Sequence, residues 1–217
     1  VEGEKIEVVL NGVDLTAYSP ATCKDIAFAT QYNLAEKFVV GYVGTHGMAH
    51  SLDKVLEAAE LLSDLDDVVI LFAGGGAAKP GIEKIVKNKN LGNVVLIPRQ
   101  VKEKMPQLWS LCDISLISLK DTPLFQAVIP SKIFESMGMG LPMLMTAPEG
   151  EATDILLKSN SGIVIKPESP ELLAKKIREV FYDREKLNSL SLNSHRAANK
   201  YDRKALALLM LDQLKCL

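Results

Sequence analysis

Val68-Val69-Ile70-Leu71-Phe72-Ala73, running straight into Gly74-Gly75-Gly76, decides the fold. The six residues are apolar without a break, so the segment cannot keep one face in water. A strand of this kind is buried on both faces, which is the condition inside a parallel sheet covered by helices. The glycines that follow mark the point where the strand stops and the chain turns.

Runs of similar length recur on either side: Phe38–Gly44, Val94–Ile97, Ile114–Ile117, Pro142–Thr146 and Gly162–Ile165, with a further short strand expected at Ile6–Leu10. Amphipathic stretches lie between them. In Leu52–Leu62, apolar Leu52, Val55, Leu56, Ala59 and Leu62 fall on one helical face. Ser51, Pro106, Pro130-Ser131 and Ser169-Pro170 stand where serine caps and proline fits a first turn. Strands alternating with helices predict a doubly wound, Rossmann-like α/β domain, with a mostly parallel six-stranded sheet and helices on both faces. That domain is expected over residues 38–200, after a segment 1–37 that leads into it. A separate amphipathic helix, Tyr201–Leu217, is expected at the end, with Leu206, Leu209, Met210 and Leu214 on its apolar face. A chain that opens in mid-strand and closes on an outlying helix reads as part of something larger.

With 217 residues and 47% hydrophobic content, the chain can fill one large core. Its net charge of -2 gives no basic face for nucleic acid. Cys23, Cys112 and Cys216 are odd in number and lack metal or redox spacing, so a disulfide framework and a zinc site are both disfavoured. The longest apolar stretch, Met137–Ala147, is about half a membrane span and is broken by Gly138, Gly140 and Pro142. A cytoplasmic protein is expected.

In open parallel sheets the ligand lies beyond the carboxyl ends of the strands. The segments there are Gly44–His50, Gly74–Lys79, Pro98–Lys102, Ser118–Pro130 and Thr146–Glu151, and glycines in them let backbone approach a ligand closely. The sharpest local pattern is Ile129-Pro130-Ser131-Lys132-Ile133-Phe134-Glu135-Ser136-Met137-Gly138-Met139-Gly140-Leu141-Pro142. It reads as a proline-started helix that ends at glycine and feeds a strand. Free amides near Ser131 and Lys132, with the Lys132 charge, suit a phosphate. Glu135 lies four residues beyond Ser131, about 6 Å along a helix axis. A carboxylate at that distance can accept from ribose hydroxyls, or equally be a surface acid near a positive helix end.

These segments resemble the C-terminal, donor-binding half of a GT-B-fold glycosyltransferase of family 4. Asn11-Gly12-Val13-Asp14 is similar to the family's segment preceding that half. Tyr42-Val43-Gly44 with Leu52–Ala58 is similar to its first strand and helix, and Phe72–Gly76 to its second strand and loop. Pro106–Ile114 resembles the helix entering its fourth strand, and Phe134–Pro142 its most specific block.

The resemblance implies a retaining transferase that moves a sugar from a nucleoside diphosphate, with UDP expected, to an acceptor hydroxyl in polysaccharide or glycan synthesis. It implies that Glu135 holds the ribose diol, and that Ser131 and Lys132 meet the diphosphate. Gly44, Thr45, His50 and Gly74 would surround the phosphates, Arg99 would flank the base, and Gly150-Glu151 would border the donor sugar. Lys132 and Glu135 are its donor-side candidates for catalysis. No cofactor or metal is expected. The implied partners are the nucleotide-sugar, an N-terminal acceptor-binding domain of the same protein, and an acceptor sugar or lipid-linked glycan. Association with the inner face of the plasma membrane would come through that other domain. The isolated fragment is expected to bind donor without turning over.

Two departures bear on the chemistry. The family's first motif glutamate should stand eight residues before Glu135, where this chain has Ala127; Gln126 and Asp121 are the candidate substitutes. The first loop has Thr45 and His50 where arginine and lysine are usual, so Lys132 carries more of the charge neutralisation. A nucleotide-sugar 2-epimerase and a non-catalytic nucleotide-sugar-binding subunit are the competing readings. His46 and His50 lack a third metal ligand, and Trp109 is expected in the core.

Overall fold

A computed structural model of the protein describes residues 8–215. It contains six strands: β1 (Phe38–Thr45), β2 (Val68–Gly75), β3 (Val94–Pro98), β4 (Ile114–Ser118), β5 (Met143–Thr146) and β6 (Gly162–Ile165). Nine α-helices accompany them: α1 (Ile26–Gln31), α2 (Leu52–Glu60), α3 (Lys79–Lys89), α4 (Met105–Trp109), α5 (Lys132–Gly138), α6 (Glu151–Ser159), α7 (Pro170–Tyr182), α8 (Arg184–Ala198) and α9 (Arg203–Lys215). The sheet order is β3-β2-β1-β4-β5-β6 and every pairing is parallel. All six strands expected from residue 38 onward are present. Of the expected strand at Ile6–Leu10, Ile6 and Glu7 lie outside the described residues, and residues 8–10 are not strand.

Alternation along β1 and β2 sorts side chains to two cores. Val39, Val43, Val69, Leu71 and Ala73 face one side, with Leu108 and Trp109 of α4, Ile133 and Phe134 of α5 and Leu156 of α6. Phe38, Val40, Tyr42, Val68, Ile70 and Phe72 face the other, with α2, α3 and α7. Both faces are covered, which is why these strands read as unbroken apolar runs.

The strand order reverses between β1 and β4. The chain moves outward from β1 through β2 to β3, then returns to start β4 on the other side of β1. At such a switch point the loops leave in opposite directions and open a crevice beyond the carboxyl ends.

Three local expectations need correction. Ser51, Ser131 and Ser169 precede helices, but none caps with its side chain. The Ser51 hydroxyl donates to Glu168 and the Ser169 hydroxyl to the Pro167 carbonyl. The side-chain caps fall instead to Asp25 on α1 and Asp183 on α8. Gly44, Thr45 and Gly74 are not free loop residues, since β1 and β2 run on to pair Gly44 with Gly74 and Thr45 with Gly75. In α9, consecutive Leu208, Leu209, Met210 and Leu211 are all exposed, so its apolar residues surround the helix rather than forming one face. Leu217 lies outside the described residues.

The two ends of the described chain meet. The Val13 amide donates to the Tyr201 carbonyl at 2.8 Å, and the Arg203 amide to the Val13 carbonyl at 2.8 Å. Gly12 permits this contact, because a Cβ there would stand 2.3 Å from the Tyr201 oxygen. Val13 and Tyr18 then pack on Gly138 at the end of α5.

Candidate functional site

Lys132 opens α5 at the switch point and is 8% exposed. Its ammonium lies 3.5 Å from the centroid of the Tyr42 ring and has no hydrogen-bond partner among the described residues. The same nitrogen is 3.5 Å from where a Gly44 Cβ would stand, so glycine leaves the space above β1 open to it. Burial pulls this amine down to about 7, with the Glu135 charge opposing the shift. An isolated buried cation is costly, and the ring's negative face offsets only part of that. The arrangement is one that an anion would complete.

The backbone around Lys132 points the same way. The Ile133 amide donates to Pro130 and the Phe134 amide to Ser131, while the Ser131 and Lys132 amides donate to no acceptor among the described residues. Ser131 itself is exposed.

Glu135 lies one turn further along α5, half-buried. Its Oε2 accepts from the Trp109 indole nitrogen at 3.1 Å. Burial raises its carboxyl, opposed first by the Trp109 bond and then by Lys132, Arg203 and Lys102. Trp109 is fully buried as expected, yet it also orients the acid, a role with no sequence signal because 26 residues separate the two.

Two histidines complete the crevice. His50 is half-buried, and its Nδ1 lies 3.0 Å from the Ser118 carbonyl. A carbonyl only accepts, so Nδ1 carries the proton and neutral His50 keeps its Nε2 lone pair free. Burial, then the Lys132 charge, lowers its pKa, so it does not replace a fixed cation in the free protein. His46 is 1% exposed with both ring nitrogens unpartnered, and burial followed by the Lys79, Lys132 and His50 charges brings it down to about 4. Its ring lies against Tyr42 and Phe72. Sequence reading passed over His46 as a site residue, although its place between Gly44 and Gly47 at a strand's carboxyl end was a usable signal.

The remaining candidates sit around this centre. Gly44 and Gly74 have φ of +133° and +141°. A Cβ on Gly74 would lie 1.9 Å from the Gly44 oxygen. Gly74→Ala should therefore cost about 2–4 kcal/mol, read by chemical denaturation; an unchanged midpoint would contradict this packing. Thr45, the last residue of β1, and Arg99, just past β3, are exposed. Gly150 and Glu151 open α6, where a Gly150 Cβ would meet the Gln126 backbone at 2.0 Å. Lys132 is thus brought together with Gly44, His50 and Glu135, while Gly150 packs on Gln126 and Glu151 lines a separate cleft with Ile129, Lys158 and Tyr201. Ala127 and Gln126 are exposed.

A cleft of about 580 Å³ lies at the opposite end of the sheet, lined by Lys24, Phe38, Asp113 and Arg184 among others. The Lys24 amine there already contacts the Leu34 and Lys37 carbonyls and Asp113. It has no stranded group comparable to Lys132. Among the described residues no group of three or more histidine, cysteine or acidic side chains could hold a metal, and no helix is long and apolar enough to cross a membrane.

Residues 26–197 match the family described as glycosyl transferases group 1. The chain belongs to that family. Among curated relatives, it is 27% identical over 183 residues to WcaI of Escherichia coli K12, a glycosyl transferase assigned by name to colanic acid biosynthesis. It is 29% identical over 144 residues to TuaH of Bacillus subtilis 168, similarly assigned to teichuronic acid biosynthesis. These alignments cover 82% and 66% of this chain but only 44% and 34% of the relatives, so the chain spans less than half of either. Among solved structures, Anabaena HepE in complex with UDP superposes with a TM-score of 0.84 at 20% identity, covering all of this chain and 59% of that one. The C-terminal domain of the group 1 protein LpcC from Francisella tularensis superposes with a TM-score of 0.70 at 17% identity, covering 87% of this chain and 97% of that domain. The architecture is that of a C-terminal GT-B domain, as the sequence resemblance implied.

Proposed function

We propose that this domain binds the UDP portion of a nucleotide-sugar donor, within a retaining, family 4 glycosyltransferase that builds a cell-surface polysaccharide or glycan. The observation that carries the reading is the stranded Lys132 ammonium: a buried cation at the switch point, beside two uncommitted amides. A diphosphate would supply the missing counter-charge through charge-assisted hydrogen bonds. The family membership supports it, as do the solved HepE complexes with UDP and UDP-glucose.

In this reading Glu135 accepts from the ribose hydroxyls, Arg99 flanks the base, and Gly44, Thr45, His50 and Gly74 surround the phosphates. Gly150 and Glu151 border the sugar. The bond from the anomeric carbon to the phosphate oxygen breaks, and the acceptor oxygen takes its place on the same face. The acceptor's proton passes to the departing phosphate. Lys132 and the amides stabilise the charge that develops there, so no metal is required. The acceptor, a sugar or lipid-linked glycan, is met by an N-terminal domain outside this chain. On this basis residues 1–37 lead into the domain, 38–200 form it, and 201–217 return toward the other half. The isolated domain binds donor without transferring it, and the whole enzyme works in the cytoplasm at the inner membrane face.

Calorimetric titration with UDP, GDP and ADP tests the proposal. Micromolar binding, near -8 kcal/mol, is expected for UDP and at least about tenfold weaker binding for the other two. Absence of binding to all three would overturn it.

A further inference from the structure

Glu168 follows β6 and is exposed, yet its carboxylate joins two segments that belong to other strands. The Ser51 hydroxyl donates to Oε1 at 2.7 Å and the Asp121 amide to Oε2 at 3.3 Å. Ser51 ends the segment that leaves β1 past Gly44 and His50. Asp121 begins the segment that leaves β4 and arrives at Lys132. These are the two walls of the crevice at the switch point.

Backbone conformation shows that the junction is imposed. Ser51 has φ of +42° and Glu168 φ of +53°, the left-handed region that side chains disfavour by about 1–2 kcal/mol each. Such conformations persist where surroundings hold them, and they gather at binding sites. Here the two strained residues are bonded to one another. Deeper in, two more bonds tie the same walls: the Lys120 amide donates to the Ala49 carbonyl at 3.0 Å and His50 Nδ1 to the Ser118 carbonyl. The Ser51 hydroxyl holds the Glu168 carboxyl below the usual range against the opposing effect of burial, with the Asp121 amide adding to it, so it stays an ionised acceptor at neutral pH.

We infer that Glu168 is a positioning residue for donor binding, a single carboxylate that clamps Ser51 and Asp121 and so sets the width of the crevice in which Lys132 stands. It rests on the donor-binding reading and deepens it. The carboxylate itself need not touch the ligand.

The test is UDP titration of the full-length protein and its Glu168→Ala, Glu168→Gln and Ser51→Ala variants, with thermal midpoints measured alongside. Glu168→Ala should weaken UDP about three- to tenfold while the midpoint moves by no more than about 4 °C, because the carboxylate is exposed and only the Ser51 end of the linkage is buried. Glu168→Gln, which keeps an oxygen for Ser51, should recover part of the affinity. Ser51→Ala should weaken binding in the same direction, and combining it with Glu168→Ala should do no further harm, since both cut one linkage. Unchanged affinity in Glu168→Ala, or losses that add fully in the double variant, would overturn the clamp alone. Failure of the wild-type protein to bind UDP would overturn the donor reading, and the clamp with it.

Discussion

Lys132→Met is expected to weaken UDP binding about a hundredfold or more, close to 3 kcal/mol, and at the same time to make the domain more stable. The two effects share a cause. The Lys132 ammonium has left water for a site with an aromatic face and no acceptor, so the free protein carries an unpaired buried charge. Methionine fills much the same volume without that charge and should raise stability by about 1–2 kcal/mol, after allowing for the lost ring contact. Denaturant unfolding measures the gain, and titration measures the loss. The pH dependence has a definite sign. Burial depresses the amine to about 7 in the folded protein, against an ordinary value of 10.5. Below about 7 it is already charged and a diphosphate binds without taking up a proton. Above that it must be recharged on binding, so affinity should fall by up to about tenfold per pH unit with uptake of one proton. Folding follows the complementary rule. The unfolded chain holds more protons between about 7 and 10.5, so the destabilisation due to Lys132 is full below 7 and fades as pH rises. The stability gap between Lys132→Met and wild type should narrow accordingly. A flat affinity profile from pH 6 to 9, or a variant that binds UDP normally, would remove Lys132 from the site.

How much of this was legible in the sequence depends on the range of the interaction. Runs such as Val68–Ala73 report the sheet directly, because burial on both faces requires apolar residues at every position. The helix opening at Lys132 was legible for a similar local reason, being framed by Pro130 and Gly138. Lys132 and Glu135 are neighbours within one turn of α5, and their shared region follows from that spacing. What sequence could not convey was long-range. Trp109 reaches Glu135 across 26 positions, and Ser51 reaches Glu168 across 117. Ser51 shows the cost of a purely local rule: a serine before a helix reads as a cap, but its hydroxyl belongs to a partner over a hundred residues away. His46 was hidden differently. Its place between Gly44 and Gly47 marks it as a candidate, but a histidine in a glycine-rich turn has no typical partner, and its two unsatisfied nitrogens show only once it is seen to be buried.

Glu135→Ala should erase the protein's ability to distinguish UDP from its 2′-deoxy analogue. The acid is half-buried, its Oε2 is engaged by Trp109, and its Oε1 accepts from no group among the described residues. The Trp109 bond fixes the rotamer, which spares the ligand that ordering cost. If the free oxygen accepts from the ribose, wild type should favour UDP over 2′-deoxy-UDP by about tenfold or more, because hydrogen bonds to a charged partner contribute about 1.5–3 kcal/mol. In Glu135→Ala both ligands should bind alike, at or below the affinity of the deoxy ligand for wild type. This comparison separates contact from indirect damage: a variant that merely loosens α5 weakens both ligands and keeps their ratio. Trp109→Phe supplies the intermediate case. It retains an aromatic ring in the core but frees the carboxylate, so it should lower UDP affinity about three- to tenfold while leaving some preference for the ribose. A ratio that survives intact in Glu135→Ala would mean that the diol is read elsewhere in the crevice. Glu135 would then serve to balance the charge of Lys132, whose protonated form its carboxylate favours against burial.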